Sequence, residues 1–101
     1  MDVKNFLLGL AFLLMAESVF SEEIRNVELL AASCASCHGT RGHSVAGTPS
    51  LAGLEKLYFM QRMQQFVTNG HISTVMHHHA SGYSADEIEL LAIFFSKQTK
   101  P

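Results

Sequence analysis

The chain has 101 residues, a formal net charge of −2 and 48% hydrophobic residues. That length serves one domain. The near-neutral balance, with no basic stripe and no block of like charges, argues against nucleic acid as a partner and against a disordered charged tail. There are two cysteines. A disulfide between Cys34 and Cys37 closes so short a loop that it stabilises little, so these side chains have another task.

In chain order, residues 1–5 carry Lys4, residues 6–16 are an uncharged apolar run, and Val19-Phe20-Ser21 precedes Glu22-Glu23. This is the layout of a secretory signal peptide. The run is shorter than the roughly 20 residues needed to span a bilayer. The expected organisation is a signal peptide over residues 1–21 and one domain over residues 22–101, exported to the periplasm, with no membrane span in the mature chain. A domain of about 80 residues hides only roughly 60–65% of its unfolded surface and needs a staple, a metal or a cofactor.

Ile24, Val27, Leu30, Ala31 and Cys34 recur at helical spacing and predict a short amphipathic helix. Residues 39–50, with three glycines and Pro49, read as a loop. Leu54, Leu57, Tyr58, Met60, Met63, Phe66 and Val67 predict a second helix that stops at Asn69-Gly70. Residues 71–82, which include Met76 and three consecutive histidines, read as a second loop. Ser84-Ala85-Asp86-Glu87 is a capping box that opens a third helix, with Ile88, Leu91, Ala92 and Phe95 on its apolar face. Alternating strand patterns are absent, so the fold is all-α.

The chemistry sits in Cys34-Ala35-Ser36-Cys37-His38. Cys-x-x-Cys-His behind a secretory leader is the attachment pattern of c-type haem. Thiols one helical turn apart reach vinyl groups along one porphyrin edge, and the adjacent His38 is aimed at the iron. One covalently attached haem c also supplies the apolar mass that the small core lacks. A thioredoxin-like dithiol wants a βαβ pattern that this sequence does not show. Zinc wants four ligands, and a single cysteine pair supplies two.

An electron carrier works best with both axial positions of the iron filled, and a thioether ligand raises the potential. Met60 and Met63 fit the apolar stripe of the second helix and read as core filler. Met76 lies outside any periodic pattern, among polar residues, and is expected to be the distal ligand. His77, His78 and His79 point in different directions and read as exposed residues beside the haem. His43 and His71 read as surface residues.

The order of helix, haem motif, Gly/Pro loop, helix, Met segment and capped final helix resembles the class I cytochrome c fold. That resemblance implies three main helices wrapped around one covalently attached haem. Within it, Pro49-Ser50-Leu51-Ala52-Gly53, Tyr58 with Phe66 and Gly70, Met76, and the run from Ala80 to Ile88 resemble the cytochrome subunit of flavocytochrome c sulfide dehydrogenase. Small free-standing periplasmic carriers share these blocks more loosely. The resemblance implies Cys34 and Cys37 as haem anchors, His38 and Met76 as iron ligands, and a carbonyl at Pro49 holding the outer nitrogen of His38. It also implies that the first and last helices cross, with Phe94 or Phe95 near Val27 and Ala31. His71 stands where these proteins often carry arginine, and the triple histidine is a departure from them.

The implied function is one-electron transfer through a haem whose edge near Cys37 forms the port. The redox partner is then either a flavoprotein sulfide dehydrogenase subunit or a separate protein met by a free shuttle. No GxGxxG is present, so flavin chemistry would belong to another chain, and no catalytic site is expected here. A third reading is a ligand-binding or sensing haem domain in which a small gas displaces Met76.

Overall fold

The structure, a computed structural model, describes the backbone of residues 3–101, and the side chains of residues 11–25 lie outside the described set. The elements are α1 (Val3–His38), a 3-10 turn (Thr40–Gly42), α2 (Lys56–Thr68), α3 (Thr74–Ser81) and α4 (Ala85–Ser96). Among the described residues there is no strand, and the all-α class I cytochrome c architecture stands. α1 runs without a break through residue 21, the expected end of the leader, whose side chains are among those not described.

The resemblance implies three main helices, and there are four. The additional one is α3, in the segment expected to be a loop. Ser73 caps it, its hydroxyl accepting from the Met76 amide at 3.1 Å, and Gly82 closes it. Its only buried residue is Ala80, so no apolar stripe announces it. The loop over residues 39–50 also contains the short 3-10 turn.

α2 begins at Glu55, whose two carboxylate oxygens accept from the Leu57 and Tyr58 amides, each at 2.9 Å. This cap pulls the Glu55 carboxyl below its ordinary value. Toward the core α2 turns Phe59 and Met63. Leu57 and Tyr58, counted on the apolar stripe in the sequence, are 61% and 53% exposed. The sequence pattern merged different surroundings: Tyr58 lines a large cavity, while Leu57 lies at the surface outside it.

α4 carries the expected capping box, with Ser84 N to Glu87 Oε1 at 2.9 Å and Glu87 N to Ser84 Oγ at 3.2 Å. Ile88, Leu91, Ala92 and Phe95 are buried, and the Phe95 ring lies 5.7 Å from that of Phe59. Complete burial of Leu91 and Phe95 contributes about 1.5–3 kcal/mol each. Ala31 of α1 joins the same cluster, with Leu30 and Cys34 packed on its edge.

Gly42 joins the haem-motif end of α1 to α4. Its φ of 79° is open to glycine, and an added Cβ would sit 2.7 Å from the Ala52 amide and 3.0 Å from the Phe95 ring. Its carbonyl accepts from Leu51 N and Ala52 N at 2.8 and 3.1 Å, which brings the chain after Pro49 back against α1. His43, expected at the surface, is half-buried, and its Nε2–H donates to the Thr99 carbonyl at 2.7 Å. A partner 56 residues away leaves no local trace in the sequence.

Candidate haem site

The C-terminal end of α1, the chain around Pro49, the inner side of α2 and one face of α3 enclose a cavity of about 590 Å³. That volume lies within the roughly 300–1,000 Å³ of small-molecule and cofactor sites. Cys34, Cys37 and His38 form one wall, Met76 stands on another, and Leu51, Leu54, Phe59, Met63 and Phe66 make the lining largely apolar.

The last turn of α1 holds both cysteines. Cys34 is half-buried, Cys37 is exposed, and the two are not bonded to each other. Burial is the largest influence on the Cys34 thiol and pushes it up from its ordinary value. His38 follows at the end of the helix. Its Nδ1 lies 2.6 Å from the Pro49 carbonyl oxygen. A carbonyl only accepts, so Nδ1 carries the proton, and Nε2 keeps its lone pair for a metal. This is the arrangement that orients and strengthens a histidine ligand.

Met76 lies in the first turn of α3 rather than in a loop, and its half-buried side chain lines the cavity. All five residues singled out in the sequence, Cys34, Cys37, His38, Pro49 and Met76, border this one space. Met63 is buried in the core and also reaches the cavity wall, while Met60 packs on the core alone. The residue set fits a covalently anchored haem: two thiols on one helical turn, an imidazole with a free Nε2, a thioether opposite and an apolar lining between.

The three histidines divide. His77 is half-buried, contrary to the exposed reading, and its Nδ1–H donates to the Phe66 carbonyl at 2.7 Å. His78 is exposed, and His79 lines the cavity on the Met76 side of α3. Among the described residues no group of three or more His, Cys, Asp or Glu side chains could hold a metal ion. His71 is exposed, its amide held by Asn69 Oδ1 at 3.0 Å.

Sequence reasoning missed Ser33, Arg62 and the side chain of Tyr83, which line the cavity, while His79, expected exposed beside the haem, is exposed and lines it too. For His79 a signal existed, since three residues after Met76 is the same face of a helix. Arg62 lies over the Phe66 ring, 5.0 Å from its centre. It is the cation at the cavity wall, 24 residues after His38.

Residues 25–94 match the family model described as cytochrome c oxidase, cbb3-type, subunit III. The chain is 41% identical over 73 residues to the cytochrome subunit of sulfide dehydrogenase from Chlorobaculum tepidum, covering 72% of this chain and 66% of that one. It is 38% identical over 69 residues to the thiosulfate dehydrogenase electron acceptor of Thiomonas intermedia, covering 66% of this chain and 32% of that one. The chain thus spans just under two thirds and about one third of the lengths of these relatives. Among the described residues no helix is long and apolar enough to cross a membrane. With the haem motif lining the cavity and the matched span running from α1 to α4, the chain belongs to this family of c-type cytochromes.

Proposed function

We propose that this chain is a periplasmic electron-transfer protein that carries one covalently bound haem c. Residues 1–21 act as a leader, and residues 22–101 form the haem domain. Cys34 and Cys37 would anchor the haem, His38 and Met76 would hold its iron, and the Pro49 carbonyl holds His38 in register. The observation that carries this reading is the pairing of His38, its Nδ1 committed at 2.6 Å, with Met76 across one apolar cavity.

When bound, haem iron supplies a reversible one-electron change. The protein's residues do the rest. His38 and Met76 would both hold the iron, which would leave no place for a substrate at the metal. The apolar walls exclude water, and the exposed Cys37 marks the edge through which electrons enter and leave.

The partner is the flavoprotein subunit of a sulfide dehydrogenase, by likeness to the cytochrome subunit of that enzyme. Likeness to a thiosulfate dehydrogenase electron acceptor favours a second reading, a free shuttle that meets its donor transiently. An absorption spectrum of the protein purified gently from its native source, before and after sulfide, separates the two. Co-purifying flavin and haem reduction by sulfide establish the enzyme subunit. Haem alone, reducible by dithionite but inert to sulfide, establishes the shuttle.

A further inference from the structure

α3, the helix that carries Met76, packs mainly on α2, with Met76 itself against the edge of the core. Its one buried residue is Ala80, whose methyl group buries little apolar surface. Hydrogen bonds near the helix ends add to that packing in fixing where it sits.

The C-terminal end is tied across the molecule. Tyr83 Oη and Ser33 Oγ lie 2.6 Å apart, joining residues 50 positions apart in the chain. The direction of this bond is fixed by a second one. Ser33 Oγ donates to the Leu30 carbonyl at 2.9 Å, and a hydroxyl has one proton to give. Tyr83 is therefore the donor and Ser33 the acceptor.

Both ends of this clasp are rigidly placed. Tyr83 follows Gly82, which closes α3 through the bond from its amide to the His79 carbonyl at 3.1 Å, and the Tyr83 amide reaches the Ala80 carbonyl at 3.3 Å. Ser84 then caps α4. Tyr83 thus has little slack relative to the helix behind it. Ser33 immediately precedes Cys34, on the helix whose last turn carries Cys37 and His38. The hydroxyl pair therefore links the turn that closes the Met76 helix to the helix bearing His38, alongside the packing of Tyr83 on the core.

We propose that Tyr83 is a positioning residue whose hydroxyl bond to Ser33 sets how firmly Met76 is held opposite His38. This rests on the reading of Met76 as the distal ligand. With the clasp closed, α3 is fixed against α1 and the Met76 thioether resists displacement. With it broken, α3 keeps only its tie to α2 and its small buried contact, and exogenous ligands compete better for Met76's place.

The test uses the ferric holoprotein with imidazole as the probe ligand. Tyr83→Phe and Ser33→Ala each remove one partner, and Ser33→Thr keeps the hydroxyl. Tyr83→Phe and Ser33→Ala are each expected to bind imidazole roughly 2- to 10-fold more tightly than wild type, the equivalent of one net hydrogen bond. The double variant should go no further than the singles, and Ser33→Thr should behave as wild type. The sulfur-to-iron charge-transfer band should weaken in the two singles at a temperature far below unfolding. A merely structural role lowers the unfolding midpoint and leaves imidazole affinity unchanged, and that result overturns the proposal. Should Tyr83→Phe fail to fold, Ser33→Ala decides alone. A wild-type protein without the charge-transfer band instead overturns Met76 as ligand and this proposal with it. Band present and affinities unchanged overturns the clasp alone.

Discussion

The imidazole Nδ1 of His77 lies 2.7 Å from the carbonyl oxygen of Phe66 and fastens α3 to the last turns of α2. The same ring packs over Gly70, where an added Cβ would come within 3.3 Å of it. His77 therefore does mechanical work next to the ligand-bearing turn. His77→Ala should cost the holoprotein about 1 kcal/mol, the net value of one hydrogen bond. His78→Ala, on the exposed side, should stay within about 0.5 kcal/mol of wild type. Urea unfolding of the two variants in parallel checks this, and equal effects would refute the special role of His77.

Replacing Met76 by Ala should leave the haem covalently attached through Cys34 and Cys37, because neither anchor is touched. The iron loses its thioether, so the reduction potential falls. The site then opens to carbon monoxide in the ferrous state. Titration with that gas, alongside potentiometry, reads both effects. A variant with the wild-type potential and no carbon monoxide binding would show that Met76 is not a ligand.

Removing both anchors, as Cys34→Ala with Cys37→Ala, should yield a chain that does not fold cooperatively. Much of the interior is the 590 Å³ cavity, and among the described residues the only large side chains with under 2% exposure are Phe95 and Leu91. An empty apolar space of that size forfeits both transfer energy and contacts. Circular dichroism during heating reads the result. A sharp transition in the haem-free double variant would mean that the helices carry the fold by themselves.

Acid stability should depend in part on Glu55. Its carboxylate caps α2 and is held below its ordinary value of 4.5 by the Leu57 and Tyr58 amides. A carboxyl depressed in the folded state stabilises that state fully above its unfolded value, and the contribution is lost as pH falls through the folded value. Glu55→Gln should therefore be less stable than wild type at neutral pH. The two should converge as the pH drops below about 4.5, the unperturbed carboxylate value. Melting curves at stepped pH test this, and a gap independent of pH would rule out the carboxylate charge as its source.

What could be read from the chain follows from where each contact lies. The haem motif is five consecutive residues, and the α4 cap and stripe lie within one stretch, so both were legible. α3 was not, because it depends on a bond to Phe66, on Ala80 meeting the core and on Tyr83 reaching Ser33, all contacts with distant partners. Tyr58, which lines the cavity, misled for a related reason. Apolar residues that face a cofactor cavity look the same in sequence as those that face other side chains. His43 was read as surface because nothing near it in sequence points to Thr99.

The apolar lining of the cavity also bears on speed. Leu51, Leu54, Phe59 and Phe66 carry almost no dipoles that must turn when a charge arrives or leaves, and a haem seated against them would displace water, which would turn. The surroundings are therefore nearly the same before and after the electron moves, which keeps the reorganisation energy low. By this argument a single polar substitution in that wall, even one that leaves both axial ligands in place, slows the protein by making its environment relax at every turnover.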